Sequence, residues 1–148
     1  MSIREVYPYL YVSDYSNAER YGPSFDLVVN CTDNLMNVSN NCIRISVQDD
    51  VLEQDKMYEF WDRYMYFIDE CIRKEGRVLI HCFGGVSRSA STAVAYMIYK
   101  SPSRDIMSCV KEVMERKPDT FMTRDLNFYD ALVRYQQKCI ESRSSIDC

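Results

Sequence analysis

The sequence predicts an α/β fold with a single central mixed sheet flanked by helices. Short apolar runs that suit buried strands alternate with longer stretches in which apolar residues recur every three or four positions, as on one face of a helix. A glycine-containing loop joins one of these runs, at 77–81, directly to helix-forming sequence at 88–100. Strands and helices that alternate in this way are typical of α/β domains.

The other elements are predicted from the same two patterns. The strands are expected near 3–7, 9–12, 26–30, 43–47 and 77–81, and the helices near 15–21, 55–74, 88–100, 103–116 and 123–141. The last residues contain serines and show no apolar period. We therefore expect one domain over residues 1–141, followed by a flexible tail at 142–148.

Two of these helices have the clearest signals. At 103–116, Ser103 follows Pro102 and is a suitable N-cap, while Pro118 is predicted to stop the helix. The helix at 55–74 carries apolar side chains at spacings of three and four, which predicts one buried face. These side chains are Met57, Phe60, Trp61, Tyr64, Met65, Ile68, Cys71 and Ile72.

The strongest chemical signal is the loop at 81–89, which reads His-Cys-Phe-Gly-Gly-Val-Ser-Arg-Ser. Its backbone N–H groups lie at a helix N-terminus without intrahelical partners, so together with the helix dipole they form a concave site for a dianion. The paired glycines allow positive φ angles and a close approach of the backbone to an oxyanion. The predicted substrate-binding residues are Phe83, Gly84, Gly85, Val86, Ser87 and Arg88.

Cys82 and Arg88 are the candidate reactive groups of this loop. The positive potential of a helix N-terminus stabilises a cysteine thiolate, and a thiolate beneath a bound phosphate is a nucleophile aimed at phosphorus. The planar guanidinium of Arg88 suits two phosphate oxygens at once. Because these groups supply the charge stabilisation that a metal ion supplies elsewhere, no metal and no other cofactor is predicted.

The loop matches the His-Cys-x5-Arg-Ser signature of cysteine-dependent protein tyrosine phosphatases, and its Ser-Arg-Ser ending resembles the dual-specificity branch. The resemblance extends to 3–17, 25–32 and 43–49, and to the closing helix with Asn127, Phe128 and Leu132. It implies the small protein-tyrosine-phosphatase fold. It also implies a protein phosphatase that hydrolyses phosphotyrosine and phosphoserine or phosphothreonine through a phosphocysteine intermediate.

The resemblance further implies a role for each side chain of the loop. Cys82 is expected to be the nucleophile and Arg88 to bind the phosphate. Ser89 is expected to donate a hydrogen bond to the sulfur and ease its departure. His81, the only histidine of the chain, is expected to hold the loop backbone and not to carry protons.

The general acid and base is expected to be an aspartate outside the loop. Strand alternation favours Asp49, because the apolar Ile43, Ile45 and Val47 precede it at every second position. Counting back from the helix at 55–74 favours Asp50 or a later residue. We prefer Asp49, and Asp50 stays open as the alternative.

Other functions use similar loops. Phosphoinositide phosphatases often carry lysines inside the loop, which has no charge between Cys82 and Arg88. RNA 5′-triphosphatases share the chemistry, but a net charge of −4 gives no broad field for a polyanion. A catalytically inactive phosphate-binding module would be expected to lack the nucleophile. A local basic rim that selects acidic or doubly phosphorylated peptides is also expected, from Arg116, Lys117, Arg124 and Arg134.

The chain has seven cysteines, no CxxC pair and one histidine, so neither a zinc site nor a thiol redox enzyme is expected. Cys31 ends the strand predicted beside the one that leads to Cys82. A reversible disulfide between the two would protect the catalytic thiolate from over-oxidation. Mass spectrometry after mild peroxide treatment tests this, since the absence of a Cys31–Cys82 peptide would contradict it.

The length of 148 residues and the hydrophobic content of 47% fit one compact domain. No apolar run approaches the roughly 18 residues of a membrane span, and no signal-peptide or lipid-anchor pattern is visible. We therefore expect an intracellular, cytoplasmic or nuclear protein. Its expected partners are phosphorylated proteins, and neither nucleic acid nor a membrane. The sequence does not predict the oligomeric state.

Overall fold

The computed structural model describes residues 3–84, 87–121 and 126–147. Its sheet has five strands in the order β1-β2-β5-β3-β4. β1 pairs antiparallel with β2, and the remaining pairs are parallel. This mixed sheet confirms the predicted fold class. The strands are β1 (Arg4–Tyr7), β2 (Leu10–Ser13), β3 (Leu27–Asn30), β4 (Cys42–Arg44) and β5 (Val78–His81).

β5 lies at the centre of the sheet. Every residue from Val78 to His81 is buried, as expected of a parallel strand that is covered on both faces. His81 lies opposite Ser13 of β2 and Asn30 of β3. Because β2, β3, β4 and β5 run parallel, the loops that follow them leave the sheet at one edge, and Cys82 is the first residue beyond β5 at that edge.

The helices cover both faces of the sheet. They are α1 (Tyr15–Tyr21), α2 (Gln54–Arg73), α3 (Arg88–Lys100), α4 (Ile106–Arg116) and α5 (Tyr129–Asp147). Side chains of α2 to α5 form the larger core with one face of the sheet, and Ala18 of α1 joins a smaller core on the other. In the described part of the chain, no helix combines the length and the apolar character needed to cross a bilayer.

β4 is shorter than predicted, since its ladder ends at Arg44 and not at residue 47. Ile45 and Val47 are nevertheless fully buried, which explains the apolar alternation in the sequence. The chain bends here, because the N–H of Val47 donates to the carbonyl of Ile45 at 2.9 Å. The apolar alternation therefore predicted the burial of Ile45 and Val47 correctly. It was wrong in predicting that their backbone continues the strand.

Two helix boundaries also differ from the prediction. Asp105, not Ser103, caps α4, since its Oδ2 accepts a hydrogen bond from the N–H of Ser108 at 3.0 Å. α5 begins at Tyr129 and runs through Asp147, past the predicted end at residue 141. Extending a helix that has already formed costs little, so polar residues can continue it without an apolar face. The predicted start, at 123, lies outside the described residues.

A chain of hydrogen bonds joins α2 to the first turn of α3. Trp61 is fully buried, and its Nε1 donates to Oγ1 of Thr92 at 3.0 Å. Oγ1 of Thr92 donates in turn to the backbone carbonyl of Arg88 at 2.9 Å. The threonine hydroxyl therefore fixes the start of α3, and with it the position of Arg88, against the aromatic core.

Replacing Thr92 with Val should lower the free energy of unfolding by about 1–3 kcal/mol, because the indole N–H of Trp61 is then buried without an acceptor. Thr92→Ser is the matched control, since it keeps the hydroxyl, and it should lose less. Urea denaturation followed by far-UV circular dichroism measures both. Equal losses for the two variants would contradict a role for this hydroxyl.

Candidate active site

The loop at 81–89 connects the central strand β5 to α3, as the sequence predicts. Cys82 is 3% exposed, whereas the neighbouring Phe83 is 69% exposed. Ser87 is buried at the N-cap of α3, where its side chain makes no capping hydrogen bond. Gly85 and Val86, two of the predicted substrate-binding residues, lie outside the described residues.

The sulfur of Cys82 lies at the N-terminal turn of α3. Its Sγ is 3.3 Å from Oγ of Ser89, which is fully buried. The first intrahelical bond of α3 runs from the N–H of Ser91 to the carbonyl of Ser87 at 2.8 Å, so the amides before Ser91 begin the helix without intrahelical partners. The N-terminal turn of α3 and the hydroxyl of Ser89 therefore both lie next to this sulfur.

Arg88 connects this loop to the chain segment that follows β4. Its Nη1 donates to the backbone carbonyl of Val47 at 3.0 Å. Because Val47 precedes the candidate acids by two and three positions, this bond holds their loop beside the cysteine loop. Sequence reasoning did not predict this contact, because its partners are 41 positions apart.

Three buried polar atoms at this site have no hydrogen-bond partner. They are Nε2 of His81, Oγ of Ser87 and Nε of Arg88. No other buried side-chain nitrogen or oxygen in the described part of the chain lacks a partner. A buried polar group without a partner costs about 1–3 kcal/mol, so three of them in one loop indicate a site that is completed by a polar ligand.

His81 is fully buried, and its Nδ1 lies 3.4 Å from the carbonyl oxygen of Cys82. Its ring also contacts that of Tyr15, with the ring centroids 5.8 Å apart. Burial lowers the pKa of His81 to about 4; the carbonyl contact opposes this shift, and the charges of Arg44 and Arg88 add to it. The imidazole is therefore neutral at neutral pH, as suits a residue that holds the backbone.

The two candidate acids make different contacts. Asp49 is exposed, and Nδ2 of Asn127 donates to its Oδ1 at 2.9 Å. Asp50 caps a 3₁₀ turn at Val51–Glu53, because its Oδ1 accepts from the N–H of Leu52 at 2.8 Å. This capping role accounts for Asp50 and leaves Asp49 as the better candidate for proton transfer. Sequence reasoning missed the Asn127 contact, which spans 78 positions.

Cys31 lies beside Cys82, as predicted. Its N–H donates to the carbonyl of His81 at 2.8 Å, and its Sγ is 3.6 Å from Oγ1 of Thr92. Burial raises the pKa of the Cys31 thiol, and the neighbouring Cys82 raises it further. Both cysteines are free thiols. The disulfide between them stays a prediction.

The predicted basic rim is wrong for Lys117. This side chain is 1% exposed, and its Nζ bonds the carboxylate of Asp119 at 2.8 Å. Arg134 is exposed but pairs with Asp55 at 3.0 Å and stacks over the ring of Tyr58. Arg124 lies outside the described residues. No group of three or more possible metal ligands occurs among the residues that the structure describes.

The cysteine loop lies within a part of the chain that is similar to known proteins. The family model for the catalytic domain of dual specificity phosphatases matches residues 9–138. The chain belongs to this family. The match covers β2 to β5, the cysteine loop and about half of α5, so it confirms the resemblance that the loop suggested.

The chain is also similar in sequence to individual named phosphatases. The chain is 30% identical over 134 residues to the protein-tyrosine-phosphatase IBR5 of Arabidopsis thaliana, covering 90% of this chain and 51% of that protein. It is 30% identical over 115 residues to human dual specificity protein phosphatase 16, covering 70% of this chain and 16% of that protein. The chain thus spans about half of the length of the first relative and a smaller part of the second.

Solved structures confirm the small phosphatase fold. The crystal structure of human DUSP28 superposes with a TM-score of 0.77 at 20% sequence identity, covering 92% of this chain and 93% of that one. At this level of identity the likeness concerns the fold, and it agrees with the single mixed sheet and its flanking helices.

The environment of His81 predicts an unusual titration. In the folded protein the imidazole should titrate near pH 4, whereas in urea it should titrate near pH 6.5, the usual value for histidine. Because the unfolded chain binds the proton first, the free energy of unfolding should fall by up to about 3 kcal/mol as the pH drops through this window.

Since the chain has one histidine, a single imidazole resonance in a proton–carbon NMR titration reports its pKa without assignment. The His81→Asn variant is the control for the stability effect, because it lacks the imidazole and keeps the carboxyl groups of the wild-type chain, whose contribution therefore cancels in the difference between the two proteins. A folded-state midpoint above about pH 6 would contradict the buried neutral imidazole.

Proposed function

We propose that this chain is a cysteine-dependent protein phosphatase that hydrolyses phosphotyrosine and phosphoserine or phosphothreonine, and that residues 1–141 form its catalytic domain. The observation that carries the proposal is the unpartnered buried polar atoms of His81, Ser87 and Arg88, which belong to the same loop as Cys82. A phosphate dianion supplies acceptors for Nε of Arg88 and Oγ of Ser87. Family membership supports the same chemistry.

In the first step, the Cys82 thiolate attacks the phosphorus of the substrate. A sulfur–phosphorus bond forms, and the bond between phosphorus and the side-chain oxygen breaks. The three remaining phosphoryl oxygens are bound by the loop amides and by the free Nε of Arg88. Asp49 in its protonated form donates a proton to the leaving oxygen, which departs as a neutral alcohol or phenol.

In the second step, water attacks the phosphocysteine. Asp49, now a carboxylate, takes a proton from the water, and inorganic phosphate is released with the Cys82 thiolate as leaving group. The hydroxyl of Ser89, 3.3 Å from the sulfur, donates a hydrogen bond that stabilises the departing thiolate. Asn127 positions the Asp49 side chain through its 2.9 Å contact in both steps.

Hydrolysis of p-nitrophenyl phosphate in EDTA tests the proposal. The wild-type chain should turn over without added metal, and Cys82→Ser should lower kcat by at least about 1,000-fold, as expected when the nucleophile of a covalent mechanism is removed. Cys42→Ser, which alters a thiol on β4 away from the loop, is the matched control and should stay active. Vanadate binding without turnover would instead identify an inactive phosphate-binding module.

The assignment of the acid is tested by Asp49→Asn and Asp50→Asn. Loss of the general acid should lower kcat by about 100-fold or more for a phosphoserine peptide, whose leaving alkoxide needs a proton, and by less for p-nitrophenyl phosphate. Asp50→Asn keeps an oxygen that can cap the 3₁₀ turn, so it should retain most activity. A larger loss in Asp50→Asn than in Asp49→Asn would reverse the assignment.

A further inference from the structure

The most exposed large apolar side chains of the described residues lie on loops at the same edge of the sheet as the cysteine loop. Leu52 is 87% exposed, Met36 78%, Phe83 69% and Val51 56%, and each other large apolar side chain in this part of the chain is less exposed. All four lie on loops that follow β3, β4 or β5 at the edge of the sheet that carries Cys82. We call Met36, Val51, Leu52 and Phe83 the apolar rim.

Hydrogen bonds hold the three loops of the apolar rim close to the site. Phe83 directly follows Cys82, and its carbonyl accepts from the N–H of Tyr15 at 3.0 Å. Val51 and Leu52 lie on the 3₁₀ turn beyond the segment that Arg88 holds. Next to Met36, the carbonyl of Leu35 accepts from Nδ2 of Asn30, at the end of β3, at 3.0 Å.

The surroundings of the apolar rim are acidic. Two carboxylates there are paired, Glu53 with Lys56 at 3.6 Å and Asp55 with Arg134 at 3.0 Å. The nearby Arg44 turns inward, where its Nη1 donates to the carbonyl of Thr32 at 2.9 Å. Within the described residues, further carboxylates at this edge have no recorded ion pair and leave it negative. They are Asp33, Asp49, Asp50 and Asp130.

We propose that the apolar rim binds the residues that flank the phosphorylated residue, and that the preferred substrate is a phosphopeptide with apolar flanking residues and without acidic ones. The inference rests on the proposed phosphatase activity. Burial of exposed apolar side chains against an apolar flank is favourable, and the surrounding carboxylates repel an acidic flank. An anionic lipid surface fits less well, because such surfaces attract clusters of basic residues.

Phosphotyrosine peptides of equal length test the preference. One has leucine and valine on both sides of the phosphotyrosine, one has serine and glycine, and one has aspartate and glutamate. The kcat/KM of the wild-type chain should be at least about 10-fold higher for the apolar than for the acidic peptide. Raising the salt concentration should reduce the penalty on the acidic peptide and leave the advantage of the apolar over the neutral peptide.

Leu52→Ser and Met36→Ser should each lower the ratio of kcat/KM for the apolar peptide to that for p-nitrophenyl phosphate by about 3- to 10-fold, since part of a buried leucine or methionine contact is lost. Met107→Ser, which alters a 38% exposed side chain on α4, is the matched control and should leave the ratio unchanged. A change of the same size in Met107→Ser would contradict a specific role for the apolar rim.

The outcomes separate this inference from the proposed function. Failure to hydrolyse p-nitrophenyl phosphate would overturn the proposed function. Hydrolysis with equal kcat/KM for the three peptides would overturn only the role of the apolar rim. The same would follow if Leu52→Ser and Met36→Ser lowered activity on phosphatidylinositol phosphate in vesicles and left the peptides unaffected, because the rim would then face a lipid surface.

Discussion

The parallel pairing of β5 with both β2 and β3 is the constraint on which the site depends. Parallel strands end at one edge, so the cysteine loop after β5, the loop after β4 that carries Asp49 and the loop after β3 that carries Met36 all leave the sheet at that edge. Because β5 is buried on both faces, Cys82 directly follows a fixed strand, and Ser89 in the first turn of α3 contacts its sulfur. The fold itself therefore positions the Cys82 sulfur, as the proposed electrostatic catalysis requires.

The site combines this rigid base with unsatisfied polar groups. Folding leaves polar atoms of His81, Ser87 and Arg88 buried without partners, and together they lower stability by several kcal/mol, at about 1–3 kcal/mol for each. Such a loop is maintained only if the rest of the fold is stable enough to hold it. The large core formed by α2 to α5 and the sheet provides that stability, with the Trp61 and Thr92 contact at its border with the loop.

The features that were predicted correctly from the sequence depend on contacts between residues that are close along the chain. The cysteine loop, its strand and its helix occupy neighbouring positions, so their geometry follows from residue type and spacing. The bounds of β2, α1, α2 and α3 were predicted to within one residue for the same reason. By contrast, the bond from Arg88 to Val47 and the contact of Asn127 with Asp49 join distant positions, and only the folded chain shows them. The prediction of a basic rim was wrong for Lys117, because its ammonium group is buried and paired with Asp119.

The indole of Trp61 is the only one in the chain. Through Thr92 it is two hydrogen bonds away from the backbone of Arg88, the residue that is expected to grip the phosphate. We therefore expect a shift of Arg88 on anion binding to change the polarity around a single buried fluorophore. Trp61 should then act as an intrinsic optical probe of the cysteine loop, so that tryptophan emission follows anion binding without a label or a chromogenic substrate.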